Sequence, residues 1–406
     1  MSSEQDIVAW LREATPYFQR HRDRTFVVYI DGAPGETLDD AIRDLVLMSS
    51  VGVRLVLVFG IGDVAQGPID ETSIKQITAE AGGRCLEFEA LFGASSQYAV
   101  RVVSGNYVKA QPKGVISGVD LGHAGNVRRI DAVGINGHLG DGGVVLIPPV
   151  GHSSTGELFT LEPLALAQNV AVAINADKLI LLAGAIPHDA DGTLIRQLTV
   201  REAREYLAQH DDAYLATAVD ACASGVARTH IVAGQESGSM LRELFTRDGA
   251  GTLVSNVPFD QLRRASSDDV AGILDIIRPL EDDGILVRRP REKLEAEIEN
   301  FFVVVRDDTV CACGALYPLA DEDAAEIACI AVHPDYRGSG FGDLLMDAIE
   351  SEAATSATKN LFVLTTQSEQ WFKERGFEGV DVADLPVKKQ VVYNYQRGSK
   401  VLRKVS

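Results

Sequence analysis

A chain of 406 residues with an apolar fraction of 46% is long enough for two or three domains with sizeable cores. Its formal charge of −20 at pH 7 repels nucleic acid and anionic membrane, so an anionic ligand has to be drawn by local basic groups. The N-terminus shows no basic region followed by an apolar run, and no window approaches the ~18 consecutive apolar residues of a membrane span, which points to a cytoplasmic protein.

In chain order, residues 7–21 place Val8, Leu11, Ala14, Tyr17 and Phe18 at steps of three and four, the mark of an amphipathic helix. Near-continuous apolar strands then alternate with helices: TFVVYI, a helix over 38–50, RLVLVF, GGVVLIPPV, a helix over 164–174, KLILLAG and THIVAG. Strands of this kind are buried on both faces, so a mainly parallel sheet covered by helices is expected up to about Asn256. The polar, proline-containing stretch NVPFDQLRR reads as a boundary. The expected division is a first domain over 1–256, a linker over 257–264 and a second domain over 265–406.

In the second domain, Ser266 to Asp269 cap a helix over 270–280, and FFVVVRDDTVCACGAL folds back through a charged turn as a hairpin. An apolar strand from Glu326, a glycine loop, a helix over 343–352, the strand NLFVLTT, a short helix in EQWFKERG and a last strand near 391–395 complete a mixed α/β order. The five cysteines, Cys85, Cys222, Cys311, Cys313 and Cys329, lack the spacing of a zinc site or a disulfide framework and read as reduced core thiols. Cys311 and Cys313, two apart in a strand pattern, are expected on one face; no second pair completes a ligand set, so no metal is expected.

The most informative stretch is EIACIAVHPDYRGSGFG, residues 326–342. Gly338, Gly340 and Gly342 let the backbone curl so that successive N–H groups converge, and the following helix adds its positive end: a cradle for phosphate, to which Arg337 adds a charged fork. This loop, with the strand before it and the helix after it, resembles the acetyl-coenzyme A loop of the GNAT acyltransferases, and the order of the surrounding elements resembles that fold throughout. The resemblance implies acetyl-CoA as co-substrate. Arg337, Gly338, Ser339, Gly340, Phe341 and Gly342 would lie against its pyrophosphate, and the backbone of Cys329, Ile330, Ala331 and Val332 against its thioester and pantetheine arm.

Three stretches of the first domain, VSGNYVKAQPKGVISGVDLGHAGNVRRID, PPVGHSSTGELFTL and LRELFTRDGAGTLV, resemble the amino-acid kinase family. The chain departs from the active kinases where the first strand ends in Tyr29, Ile30 and Asp31 with no lysine, since phosphoryl transfer depends on positioned positive charge. An inactive-looking kinase domain ahead of a GNAT domain resembles the bacterial N-acetylglutamate synthases over nearly the whole chain.

That resemblance implies acetyl transfer to the α-amine of L-glutamate, the first step of arginine biosynthesis, with feedback inhibition by L-arginine. A homo-oligomeric ring is implied as well, a hexamer among its forms. Glu326, a carboxylate at a strand start, falls on the family's general base, and Thr365, with Thr366 and Ser368 as nearby substitutes, on the hydroxyl residue that serves the leaving thiolate, since Phe372 stands where many GNAT enzymes carry a tyrosine. Arg289 and Arg397 lie in the stretches that hold the substrate carboxylates. The tail from Val387 carries Lys388, Lys389, Arg397, Lys400, Arg403 and Lys404 and no acid, which supports a local anionic-substrate region. Tyr17, Glu243, Asp248, Gly249 and Gly251 are the candidates for the arginine effector region, the acids serving its guanidinium. The competing readings are an arginine-sensing regulator that only binds coenzyme A, and an acetylglutamate kinase.

Overall fold

The computed structural model describes residues 4–31, 36–62, 67–95, 100–246, 249–256, 260–306, 309–319, 323–356, 358–391 and 393–405. The chain divides into two compact units, Met1–Pro258 and Phe259–Ser406. Among the described residues no helix is long and apolar enough to cross a membrane.

In the first unit the strands Thr25–Ile30, Arg54–Phe59, Val144–Ile147 and Lys178–Ala183 are almost wholly buried. Alternate residues of Thr25–Ile30 enter opposite cores. Val27 and Tyr29 join Leu166, Val170 and Leu215 on one side, while Phe26, Val28 and Ile30 join Ile42, Phe88 and Leu244 on the other. A sheet buried on both faces needs helices on both faces, and Pro163–Ala173 and Ala213–Ala223 cover the first as Glu36–Ser50 and Glu71–Ser95 cover the second. Among the described residues this sheet has eight strands, parallel except where Arg228–Ala233 meets Thr252–Ser255. It is the mainly parallel sheet expected from the apolar runs.

The second unit is a mixed α/β layer structure. Its elements are β1 (Asp260–Arg264), α1 (Val270–Asp282), α2 (Arg291–Ala296), β2 (Phe301–Arg306), β3 (Thr309–Leu319) and β4 (Ala324–Val332). Next come α3 (Phe341–Thr355), β5 (Asn360–Thr365), α4 (Glu369–Lys373), β6 (Glu378–Val380), α5 (Val387–Val391) and β7 (Lys400–Val405). The strands form one sheet in the order β1-β2-β3-β4-β5-β7-β6. β4 and β5 run parallel, joined by the crossover helix α3, and the other pairs are antiparallel.

Three expectations are corrected here. Residues 260–264 are not a linker but the edge strand β1, in register from Asp260 opposite Arg306 to Arg264 opposite Phe302. Their polar look is that of a sheet edge: Leu262 packs on the core while Asp260 takes a bidentate pair from Arg306 at 2.6 and 2.9 Å. The last strand is not at 391–395. Val391 ends α5, residues 395–398 form a turn, and the backbone resumes as β7 only after Gly398, whose φ of 62° ends that turn. Cys311 and Cys313 do not share a face. Val304 pairs with Ala312 and Val305 with Val310, so Cys311 is an extra residue, a bulge that turns it toward the core of α3 while Cys313 faces the core of α1.

The start of α1 is tied down by Asp269, which receives Arg263 through both guanidinium nitrogens at 2.7 and 2.8 Å and Ser266 through its amide and hydroxyl at 2.7 and 2.9 Å. Arg263, chiefly, holds the Asp269 carboxyl down to about 2, from an ordinary value of 3.8. A depressed folded-state pKa contributes stability that is complete above the unfolded value and is lost as pH falls toward the folded one. Asp269→Asn is therefore expected to destabilise the second unit by on the order of 2 kcal/mol at pH 7, with the difference shrinking between about pH 4 and pH 2. Urea unfolding followed by Trp371 fluorescence in a Trp10→Phe background measures it; equal midpoints at pH 7 would refute the assignment.

Candidate active site

The site grows from one departure in the sheet. β4 pairs with β5 from Ala324 opposite Asn360 to Ile327 opposite Val363, and the pairing ends there. β3 stays paired with β4 as far as Val332, but with a register shift in which two residues of β3 span three of β4. Within that shift Cys329 takes a φ of 53°, a left-handed conformation unusual for a residue with a Cβ. Beyond Ile327 the edge of β4 that had faced β5 opens into a cleft of about 510 Å³. Main-chain groups released from a ladder need other partners, and a ligand bound there supplies them. Burial pushes the Cys329 thiol up to about 11, so it stays protonated and acts as a packing group.

The glycine loop closes one end of the cleft. Gly338 and Gly340 have φ of 83° and 76°, so both need to be glycine. Gly340 caps α3, and the first intrahelical bond runs from the Leu344 amide to the Gly340 carbonyl, which leaves the amides of 341–343 at the helix mouth. Gly342 serves a different end from the curl expected of it. A Cβ there would stand 3.2 Å from the Trp371 ring, so its smallness lets the indole pack on the helix start. Arg375 stacks on that indole at 3.7 Å and ion-pairs with Asp343, neutralising the one acid in the first turn of α3. Of the residues expected to hold coenzyme A, all line this one cleft except Ser339, which is exposed beside it.

At the other side of the splay, Glu326 lies opposite Tyr317 of β3 and beside Phe362 of β5, with its side chain 15% exposed. Arg289 is close enough to feel the charge of Glu326 and lies over the Tyr317 ring at 5.9 Å. Tyr317 is fixed in turn by its hydroxyl, which donates to Glu297 at 2.9 Å. Lys389 of α5, which sequence reasoning placed only in a basic tail, forms an ion pair with Glu326. Thr365, at the end of β5, lines the cleft, and its oxygen accepts the amides of Gln367 and Ser368 at 3.3 and 2.9 Å. With its lone pairs so engaged, the hydroxyl proton is free to be donated. Phe372 is buried against Phe377 and Trp371, lines the cleft and brings no hydroxyl to it. Arg397 donates through one guanidinium nitrogen to the carbonyls of Gly284 and Ile285, which ties the tail to the loop after α1.

In the first unit, the expected effector residues cluster, but Glu243 is not an open acid. It is buried and accepts the His230 Nδ1–H and the amides of Ala250 and Gly251, each at 2.7 Å. His230 Nε2 accepts from the Lys178 ammonium at 3.1 Å, a relay that sequence reasoning missed because THIVAG and KLILLAG read only as strands. Burial and then Lys178 push the His230 imidazole below its usual range, so it stays neutral and donates one proton to Glu243. Gly249 has a φ of 63°, and a Cβ there would stand 2.5 Å from a Glu243 oxygen. Tyr17 faces His21 at 6.5 Å, and His21 bonds the Leu244 carbonyl at 2.8 Å. Asp248 lies outside the described residues. At the end of the first strand, Asp31 accepts from the Tyr214 hydroxyl at 3.3 Å.

Comparison with known proteins fits both units. The amino acid kinase family model matches residues 27–233 and the acetyltransferase (GNAT) domain model residues 297–379. An amino-acid acetyltransferase of Azotobacter vinelandii is 44% identical over 98% of this chain and 99% of its own. The chain belongs to the amino-acid acetyltransferase family. The amino-acid acetyltransferase of Pseudomonas putida strain GB-1 is 45% identical over the same shares. The crystal structure of N-acetylglutamate synthase from Neisseria gonorrhoeae complexed with coenzyme A and L-arginine matches 100% of this chain and 99% of that one, with TM-score 0.89 at 36% identity. The same enzyme complexed with coenzyme A and N-acetyl-glutamate matches with TM-score 0.63. The acetyltransferase thus carries the amino-acid kinase fold ahead of the GNAT fold, as its motifs led one to expect.

Proposed function

We propose that this acetyltransferase moves the acetyl group of acetyl-CoA to the α-amine of L-glutamate, giving N-acetyl-L-glutamate and coenzyme A, and that L-arginine inhibits it through the first unit. The observation that carries the reading is a mostly buried carboxylate, Glu326, beside the coenzyme A cleft and flanked by the cations Arg289 and Lys389. A base next to cations suits an amine that carries carboxylates. Glu326 takes a proton from the ammonium, directly or through a water, and the neutral nitrogen attacks the thioester carbon. The main chain of 329–332 stabilises the oxyanion, the C–S bond breaks, and the second nitrogen proton passes to the thiolate, which Thr365 steadies with a hydrogen bond.

Arginine is assigned to the surroundings of Tyr17, Gly249 and Gly251, where the buried Glu243 and His230 shape the turn. The crystal structures of N-acetylglutamate synthase from Neisseria gonorrhoeae, complexed with coenzyme A and with L-arginine or N-acetyl-glutamate, support this reading. A cytoplasmic homo-oligomer is part of the same proposal. Thiol release from acetyl-CoA by the purified chain is expected to require L-glutamate and to fall on adding L-arginine. Release only with a different amine, or ATP-dependent phosphorylation of N-acetylglutamate, would overturn it.

A further inference from the structure

We infer that Lys389 is a specificity-determining residue: its ammonium occupies the carboxylate of Glu326 and gives it up only to an acceptor that brings a carboxylate of its own. The inference rests on the reading of Glu326 as the base of an amino-acid acetyltransferase. Lys389 and Glu326 form their ion pair with side chains only 27% and 15% exposed, so solvent and salt do little to loosen it. A carboxylate oxygen held this way is not open to an incoming ammonium.

The partner's mounting is light. Lys389 rides on α5, a five-residue helix with no buried residue, whose Val387 and Val391 are 66% and 81% exposed. The helix is tied to the preceding turn by Gln390, whose amide donates to the carbonyls of Ala383 and Leu385 at 2.9 and 2.7 Å. The apolar anchorage lies just before the helix, at the buried Leu385 and Pro386, so the Lys389 side chain projects from a surface element, whereas Glu326 is fixed in the middle of the sheet.

An amino acid can exchange partners with this pair. Its carboxylate takes the Lys389 ammonium, its ammonium takes Glu326, and every charge stays matched. An amine without a carboxylate offers only half of the exchange. To reach Glu326 it must displace Lys389 and leave a mostly buried ammonium without a counter-charge, a costly arrangement. The latch therefore screens acceptors by a group remote from the reacting nitrogen.

The test is steady-state thiol release by the full chain with L-glutamate and with n-butylamine as the carboxylate-free probe. Lys389→Met is expected to lower kcat/KM for L-glutamate ~10-fold or more, chiefly through KM, as loss of a charged hydrogen-bond partner does. The same variant is expected to raise kcat/KM for n-butylamine several-fold, and Lys389→Arg to keep the wild-type preference. A role confined to folding moves both rates down together. A parallel fall for the two amines in Lys389→Met, or no change in either, overturns the latch while leaving the proposed activity standing. A wild-type chain with no turnover of L-glutamate overturns both.

Discussion

Glu326→Gln is expected to lower kcat for glutamate-dependent thiol release by ~10²–10⁴-fold, the usual worth of a positioned general base. The substitution keeps the side chain's size and its place opposite Tyr317 and Phe362. It also leaves untouched the cleft residues from Ala328 to Val332 and the loop at Gly338 and Gly340, so the affinity for coenzyme A is expected to stay at the wild-type value. Calorimetric titration with coenzyme A, run beside the thiol assay, separates the two effects. An unchanged kcat removes Glu326 from proton transfer, and a parallel loss of coenzyme A affinity would make its role structural.

Arg289→Lys is expected to raise KM for L-glutamate by ~10–100-fold with a much smaller change in kcat, the range set by one or two charged hydrogen bonds. The argument starts from a donor without an acceptor. The Arg289 Nε is shielded from solvent and has no hydrogen-bond partner among the described residues, although the guanidinium is held over Tyr317 and its backbone amide is anchored on Glu281 at 2.8 Å. Buried donors are rarely left unmet, and a substrate carboxylate on this guanidinium is the expected partner. Lysine keeps the charge but loses both the planar fork and the stacking on the ring. Initial rates over a range of glutamate at saturating acetyl-CoA measure the change. A KM for L-glutamate within two- or three-fold of wild type would place the carboxylate elsewhere.

Much of this fold is legible in the sequence. Apolar runs separated by helices dictated a buried parallel sheet, and Gly338 and Gly340 behind an apolar strand marked the loop that opens α3, because both signals are local. The edge strand at 260–264 was not legible, since a half-exposed strand carries polar residues like a linker. Nor was the face of Cys311: a single bulge reverses the alternation, and nothing in CACGAL announces it.

The sequence by itself therefore determined the alternation of apolar runs, the glycine loop and the carboxylate at Glu326, each of which rests on a residue type and on neighbours a few positions away. Resemblance to known families supplied the two folds, the coenzyme A assignment and the candidacy of Thr365, Arg289 and Arg397. Only the tertiary structure decided which distant groups those residues meet. Lys389 lies 63 positions from Glu326 and reaches it because the tail folds back over the sheet. Arg397, of the same charge in the same tail, meets the carbonyls of Gly284 and Ile285 through one of its nitrogens. The physical reason is that an ion pair depends on where two elements pack, and packing is settled by the whole core rather than by either segment.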